Sequence, residues 1–394
     1  MDFSLSTEER EIRDWVRTFI RREVMPYEQE VLRRERLGQP GLTADERREL
    51  QLKAKEAGFW GVQTPQEYGG MDLSATMSAL LWAEAGRTFV PFAFGGEADN
   101  ILYHGNDEQK QRYLLPTIAG ERRSCFAITE PGAGSDAKAI RATARKDGGD
   151  WVINGEKTFI TGGNEADFAM VFAVTDKAKG AGADGGVTCF LVDREMGWRS
   201  EPIDTMGEFS PAALIFEDVR VPESNVLGEV GGGFTLAMQW IGRGRYIIPA
   251  RALGACERLL EMAVEHANTR ETFGAPIAER QAIQWMIADS AVEIEALRWL
   301  VLHAAWQVDQ GGWNSASRHL VSIAKLYGGV KANEIVDRVL QIHGGMGYTR
   351  ELPIERWYRE LRVARIYEGT DEIQRRTIAR NLLKGHVKPT GAFG

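Results

Sequence analysis

Hydrophobic periodicity changes twice along this chain, and the order of those changes restricts the fold more than any other feature. The first third has the period of helices. Ser6 followed by Glu9 has capping-box spacing, Ile12, Val16, Phe19, Ile20 and Val24 share one helical stripe, and Pro26 is expected to stop the run. Thr43 with Glu46 repeats the device ahead of Leu50, Ala54 and Ala57, and Gly58 is expected to end that helix in the left-handed conformation. Residues 73–87 and 107–120 are also helix-compatible. Near residue 123 the chain switches to short β-rich runs separated by Gly and Asp: SCFAIT at 124–129, DWVING at 150–155, DFAMVFAVT at 167–175 and VTCFLVD at 187–193. The segment KAKGAGADGG at 177–186 reads as a flexible hairpin tip, and VPESNVLGEVGGG at 221–233 as a domain boundary. Long helical periods then return. Ile283, Ile287, Ile294, Leu297, Val301 and Ala304 line one face, and Leu320, Ile323, Tyr327, Ile335, Val339 and Ile342 line the next. The tail PTGAFG reads as frayed.

These periods predict an α+β protein with an N-terminal α-helical domain (1–122), a middle β-barrel-like domain (123–232) and a C-terminal helical bundle (233–394). An α–β–α order leaves no alternating βαβ repeat, so Rossmann and P-loop nucleotide sites are excluded. Gly132-Ala133-Gly134 lacks the third glycine of a dinucleotide fingerprint. There is no HExxH, GxSxG or GxxxxGK[ST], and the six histidines have no ligand spacing, so no metal is expected; His343 reads as structural. With 48 Lys+Arg against 56 Asp+Glu the net charge is −8, which repels phosphate backbones and anionic lipid, so neither nucleic acid nor membrane insertion is expected. Cys125, Cys189 and Cys256 are too few and too scattered for a disulfide framework and read as small core residues in a reducing compartment. MDFSLSTEEREIRDW has neither the apolar core of a signal peptide nor the Arg/Ser-rich character of a transit peptide, so the cytoplasm is the expected location.

Three runs exceed what packing requires. ITEPGAGSD at 128–136 places Pro131 and two glycines after a strand, making either a turn whose amides can approach an anion or a plain hairpin turn. RIYEGTDEIQ at 365–374 sets Glu368 before a glycine at a helix break, with Thr370 able to cap the next helix. QIHGGMGY at 341–348 has three glycines within four residues, which implies close approach of a backbone or a ligand.

Together these runs resemble the acyl-CoA dehydrogenase family over essentially the whole chain. The family markers are TEPGAGSD at 129–136, KTFIT at 157–161, RETFG at 270–274, the Q-x-x-G-G-x-G-Y run at 341–348 and YEGT at 367–370, all in family order. The resemblance implies a helical N-terminal domain, a middle β domain, a C-terminal four-helix domain and a homotetramer built as a dimer of dimers. It implies FAD as cofactor, an acyl-CoA thioester as substrate and an electron-transfer flavoprotein as electron acceptor. Glu368 matches the base that takes the α proton, while the β hydride goes to the flavin. Burial would raise such a carboxyl from about 4.3 toward roughly 6–7. The Glu368 amide matches a donor to the thioester oxygen, a contact typically worth about 3–4 kcal/mol, and Gly369 permits the bend.

By the same resemblance Thr129 and Thr161 contact the flavin, and Ile128 and Gly134 belong to its binding run. Phe126 and Phe159 stand beside the ring, with core packing as their alternative. Ser135 lies where cofactor and thioester meet. Arg270, Thr272, Phe273 and Gln281, with Gln341, Gly344 and Gly345, match residues reaching a neighbouring subunit's diphosphate and adenine; a surface salt bridge is the alternative for Arg270. Thr370 and Glu372 match adenosine contacts, and Arg245 an arginine near the substrate. Some relatives carry the base on the helix containing IGRGRY, where Gly244 stands here, leaving Glu368 without a rival.

An acyl-CoA oxidase or a flavin monooxygenase would share this scaffold, and a DNA-associated relative or a flavin-free helical scaffold are readings from other classes. For the acyl pocket, FVPFAFGGEADNILYHG at 89–105 suggests a wall from Phe89, Phe92 and Phe94 and an opening at Gly95-Gly96, with Glu97 and Asp99 solvated.

Overall fold

The computed structural model describes residues 5–179, 185–207 and 210–389; residues 180–184 of the expected 177–186 tip and the terminal TGAFG lie outside them. In chain order the helices are α1 (Thr7–Phe19), α2 (Glu28–Arg36), α3 (Ala44–Glu56), α4 (Ala75–Gly86), α5 (Asp107–Gln109) and α6 (Leu115–Ala119). Strands follow: β1 (Ser124–Ala127), β2 (Thr143–Asp147), β3 (Asp150–Ile160), β4 (Phe168–Val174), β5 (Val187–Asp193), β6 (Arg199–Pro202), β7 (Ala212–Pro222) and β8 (Val226–Leu227). Then come α7 (Gly233–Gly244) and α8 (Ile247–Thr269), a short hairpin of β9 (Glu271–Thr272) and β10 (Ala275–Pro276), and α9 (Gln281–Gly311), α10 (Ser315–His343), α11 (Gly345–Tyr348), α12 (Ile354–Val363) and α13 (Asp371–Leu383).

The chain divides into two compact units. One comprises Met1–Gly58, Leu73–Phe94 and Gly244–Gly394; the other comprises Phe59–Asp72 and Gly95–Arg243.

The first unit is helical. Both expected capping boxes form, at Ser6/Glu9 and Thr43/Glu46, and Gly58 has φ +91°. Pro26 does not end the first helical run. α1 widens into a π turn over Ile20–Val24 and tightens into a 3-10 turn over Met25–Tyr27 before α2. Pro26 sits at the start of that turn, where its missing N–H forfeits no hydrogen bond. α4 packs on α8 so tightly that a Cβ at Gly254 would lie 1.8 Å from the Ala83 carbonyl oxygen, so only glycine allows the crossing. α8, α9 and α10 pack around Cys256, Ile294, Leu297, Val301, Ile335 and Val339, all buried. α10 is buried beyond its expected stripe: Leu320, Ile323 and Tyr327 are half-buried, whereas Ser317, His319, Ser322 and Lys325 are enclosed. α9 keeps Trp285, Val292, Trp299 and Trp306 exposed at seven-residue intervals.

The second unit is built on an eight-stranded sheet ordered β6-β7-β3-β2-β4-β5-β8, with β1 parallel to β4. Every residue of β4 and β5 is buried, because alternate side chains enter two cores. Phe168, Met170 and Phe172 share a core with Tyr113 and Leu114, with Ile118 of α6 and with Phe234, Leu236 and Ala237 of α7. Val171 and Phe190 join Trp151, Ile153, Phe216 and Val219 from β3 and β7. Strands from both halves of the path share that second core, so the sheet curls around it, which makes it barrel-like. Cys125 and Cys189 are free and buried here, as Cys256 is in the helical unit. No helix among the described residues is long and apolar enough to cross a membrane, and no metal-binding cluster occurs among them.

Candidate active site

In the helical unit the site is built at the break between α12 and α13. The turn after α12 is fixed by an Arg365–Asp371 ion pair at 2.7 Å and by Thr370, whose side chain accepts from the Ile373 amide and caps α13. Inside the turn two consecutive residues are left-handed, Glu368 at φ +50° and Gly369 at φ +96°. The first is unusual for a side-chain-bearing residue, and such strain persists only where surroundings hold it. Here they do. The Glu368 carbonyl accepts from Arg245 Nε at 2.9 Å and Gln374 Nε2 at 3.3 Å, and the Gly369 carbonyl from Lys325 Nζ at 2.6 Å and Gln374 Nε2 at 3.0 Å.

The Glu368 carboxylate lies against α7's last residue. A Cβ on Gly244 would stand 2.3 Å from Oε2 and 2.5 Å from Oε1, so the missing side chain there makes room for the acid. Oε2 is buried with no hydrogen-bond partner. Burial pushes the carboxyl up to about 7, against the opposing pull of Arg245 and Lys325. Burial also pushes Lys325 down to about 8 and lowers Arg245. A carboxyl poised near neutrality, with one oxygen enclosed and unpartnered, can take or give a proton at physiological pH.

At another end of the same unit, β9 and β10 turn through Phe273 (φ +52°) and Gly274 (φ +76°), the paired positive angles of a tight hairpin. Phe273 is 99% exposed, and Arg270 is exposed with no ion pair among the described residues. His266 near the end of α8 stacks on His343 at the end of α10, ring centres 4.3 Å apart, and His343 Nδ1 lies 2.8 Å from the Val339 carbonyl, so His343 is structural. That stack brings the Arg270–Phe273 hairpin and the exposed Gln341, Gly344 and Gly345 to one end of the bundle. Gly344 turns at φ +58°, and a Cβ on Gly344 or Gly345 would meet nothing within 4 Å. Thr272 is half-buried, and Gln281 and Glu372 are exposed in the first turns of α9 and α13.

In the β unit, β1 leads through buried Ile128 into the 129–136 turn. Glu130 is buried, accepting from the Arg141 and Ala142 amides and from Lys157 Nζ at 2.7 Å; Lys157 also donates to the Ile128 carbonyl at 3.1 Å. The pair ties the turn to β3, and burial pushes Lys157 down to about 8 although Glu130 opposes this. Two residues on, the β3–β7 register slips and Phe159 adopts φ +55°, turning a 62%-exposed ring outward. Thr161 follows, exposed. The hydroxyls of Thr129, Ser135 and Thr161 have no hydrogen-bond partner among the described residues, and a Cβ on Gly132 or Gly134 would meet nothing within 4 Å. Phe126 is half-buried, stacked on Trp240 with ring centres 3.9 Å apart.

Two expectations are corrected. Phe89, Phe92 and Phe94 are core residues: Phe89 packs edge-on to Trp357, and Phe92 packs on Phe19 and Phe94. Gly95 and Gly96 make no opening, because a Cβ on either would collide with the Trp60 ring. Nor are Glu97 and Asp99 merely solvated. Glu97 accepts from the Gln63 amide at 2.8 Å, and Asp99 from Trp240 Nε1 and Ser124 Oγ. Glu130, Lys157 and Gln374 also shape the site from within the sequence motifs, and Lys325 does so from SIAKLYGG, where a lone lysine among small and apolar residues is the available signal.

Family models match in chain order: acyl-CoA dehydrogenase N-terminal domain over residues 6–121, middle domain over 125–219 and C-terminal domain over 231–383. The chain belongs to the acyl-CoA dehydrogenase family. It is therefore an oxidoreductase acting on a CH–CH group. It is 39% identical over 389 residues to a 3-(aryl)acrylate reductase of Clostridium sporogenes, covering 96% of this chain and 99% of that one. It is also 39% identical over 340 residues to the human mitochondrial short-chain specific acyl-CoA dehydrogenase, covering 84% of this chain and 81% of the relative. Among solved structures, butyryl-CoA dehydrogenase from Megasphaera elsdenii matches with a TM-score of 0.84 at 31% identity, covering 97% of this chain and all of that one. Acyl-CoA dehydrogenases use FAD, and the residues present fit it: two outward rings on strained backbone, an open glycine turn, unpaired hydroxyls and an orphaned carboxylate oxygen.

Proposed function

We propose that this acyl-CoA dehydrogenase removes the α proton of an acyl-CoA thioester through Glu368, giving the trans-2-enoyl-CoA. FAD, when bound, supplies the acceptor for the β hydride. The observation that carries the reading is the Glu368 carboxyl itself, with Oε2 enclosed and without a partner, raised to about 7. Removing a weakly acidic α proton also requires a donor to the thioester oxygen, the role assigned to the Glu368 amide, whose direction is set by the clamped turn. Thr129, Ser135 and Thr161 offer free hydroxyls to cofactor and thioester, with Phe126 and Phe159 as apolar walls. Thr370 and Glu372 are assigned to the adenosine end.

Arg270, Thr272, Phe273, Gln281, Gln341, Gly344 and Gly345 are assigned to the cofactor of a neighbouring copy in a tetramer. A strained phenyl ring on a hairpin tip that buries almost none of its surface among the described residues supports that assignment. Electrons are assigned to an electron-transfer flavoprotein in the cytoplasm. Likeness to the acrylate reductase favours a second reading, in which the same carboxyl, protonated, delivers a proton to the α carbon of an arylacrylyl substrate while FAD, when bound and reduced, would supply the hydride to the β carbon.

Anaerobic assays test both: straight-chain, branched and aryl acyl-CoAs with a dye acceptor, and arylacrylyl substrates with reduced enzyme. Glu368→Gln is expected to retain flavin and bind acyl-CoA while losing turnover by about 10²- to 10⁴-fold. Undiminished turnover would move the base elsewhere. Peroxide release in air at rates matching the dye would place the enzyme with the oxidases.

A further inference from the structure

Lys325 is a fully enclosed lysine, 0% exposed, on a helix otherwise packed against helices. Its ammonium makes no ion pair among the described residues. It donates to a main-chain carbonyl, that of Gly369, at 2.6 Å. An unpaired ammonium is costly to bury, and a fold that needed only a filled space would use Leu or Met. The carbonyl it holds belongs to the residue after Glu368, in a turn where two successive left-handed residues must be kept in register with a reacting group. Gln374, also 0% exposed, donates to both carbonyls from α13, and Arg245 donates to the first from the opposite side.

We propose that Lys325 and Gln374 are positioning residues for the reaction, clamping the Glu368 and Gly369 carbonyls so that the Glu368 amide and carboxylate keep their directions while the proton moves. The inference rests on Glu368 being the base. Fixing both carbonyls fixes both flanking peptide planes, and a peptide plane that cannot rotate holds its amide in place. Main-chain bonds close the turn at Tyr367 and Asp371, but the Glu368 and Gly369 carbonyls are held by side chains. The clamp draws its donors from α10, α13 and the turn between α7 and α8, so it survives fluctuation of any one. Lys325 adds a charge that Gln374 does not. The charged groups facing Glu368 are Arg245 and Lys325; Asp371, paired with Arg365, and Glu372 act on Lys325, and Arg318 on Arg245. Lys325 therefore favours the ionised base.

The test uses the flavin-loaded enzyme in three variants: Lys325→Met, Gln374→Met and Glu368→Gln. The first two are expected to keep flavin and a KM within about threefold of the parent, while kcat falls up to about a hundredfold from loss of geometry. The acid limb of kcat/KM should move to higher pH in Lys325→Met and stay in place in Gln374→Met, a split that packing loss alone does not produce. Unchanged kcat in both, a limb that moves equally in both, or failure of both to fold with flavin would overturn the positioning role. Activity persisting in Glu368→Gln would instead overturn the reading of the base.

Discussion

At the scale of single residues, the account turns on a carboxyl that gains nothing from its fold except a task. Glu368 ionises near 4.5 when exposed and near 7 in place, so between those pH values the unfolded chain is charged and the folded one is not. Folding therefore loses stability as pH rises through that window, by roughly 3 kcal/mol once it is crossed. Glu368→Gln is expected to raise the melting temperature at pH 8 and leave it unchanged at pH 4.5, a difference that thermal unfolding at the two pH values measures. The same titration sets activity: kcat/KM for dehydrogenation should rise with pH about a midpoint near 7, because only the ionised base accepts a proton. Gly244 belongs to the same scale. Gly244→Ala places a methyl 2.3 Å from Oε2, and the carboxylate must swing away. The expected outcome is flavin retained and kcat lowered by about 10- to 100-fold, read by steady-state kinetics beside the flavin spectrum.

At the scale of elements, ion pairs and glycines decide where the functional side chains go. The Glu130–Lys157 pair fastens the 129–136 turn to β3 just before the bulge that turns Phe159 outward. Lys157→Met would leave Glu130 buried with only two amide donors. It is expected to destabilise the chain by about 3–5 kcal/mol, measured by denaturant unfolding, and to weaken flavin retention measured by filtration. Helices α1, α3, α9 and α10 and strands β1, β3, β4 and β5 were legible in the sequence because periodicity and capping are local properties: Ser6/Glu9, Thr43/Glu46 and Thr370 all act within four residues. Pro26 misled because a π turn and a 3-10 turn together carry the chain past a proline that a regular helix would not accommodate. Phe89, Phe92, Gly95 and Asp99 misled for a different reason. Their partners Trp357, Phe19, Trp60 and Trp240 are distant in sequence, so an apolar run that reads as a pocket wall cannot be told from a core.

At the scale of the whole molecule, α9 carries the clearest mark of assembly. Trp285, Val292, Trp299 and Trp306 recur every seven residues on a 31-residue helix and are exposed, the spacing that lets one helix lie along a copy of itself. Val292→Glu and Trp299→Glu together are expected to leave the helical content intact and lower the molecular mass in light scattering to that of a smaller assembly. Unchanged mass would place the interface elsewhere. Assembly is also where the sequence alone was mute about geometry: Arg270 and Phe273 stood out as a motif, but the bare ring and its strained backbone appear only in the fold.

The most direct test of the central claim is a single anaerobic turnover, following flavin absorbance after mixing a reactive acyl-CoA with the parent enzyme and with Glu368→Gln at pH 8. The account predicts rapid bleaching in the parent and bleaching slowed by at least about a hundredfold in the variant, with the substrate still bound in both. Bleaching of the variant at the parent's rate would show that the α proton leaves by another route and contradict the assignment of Glu368.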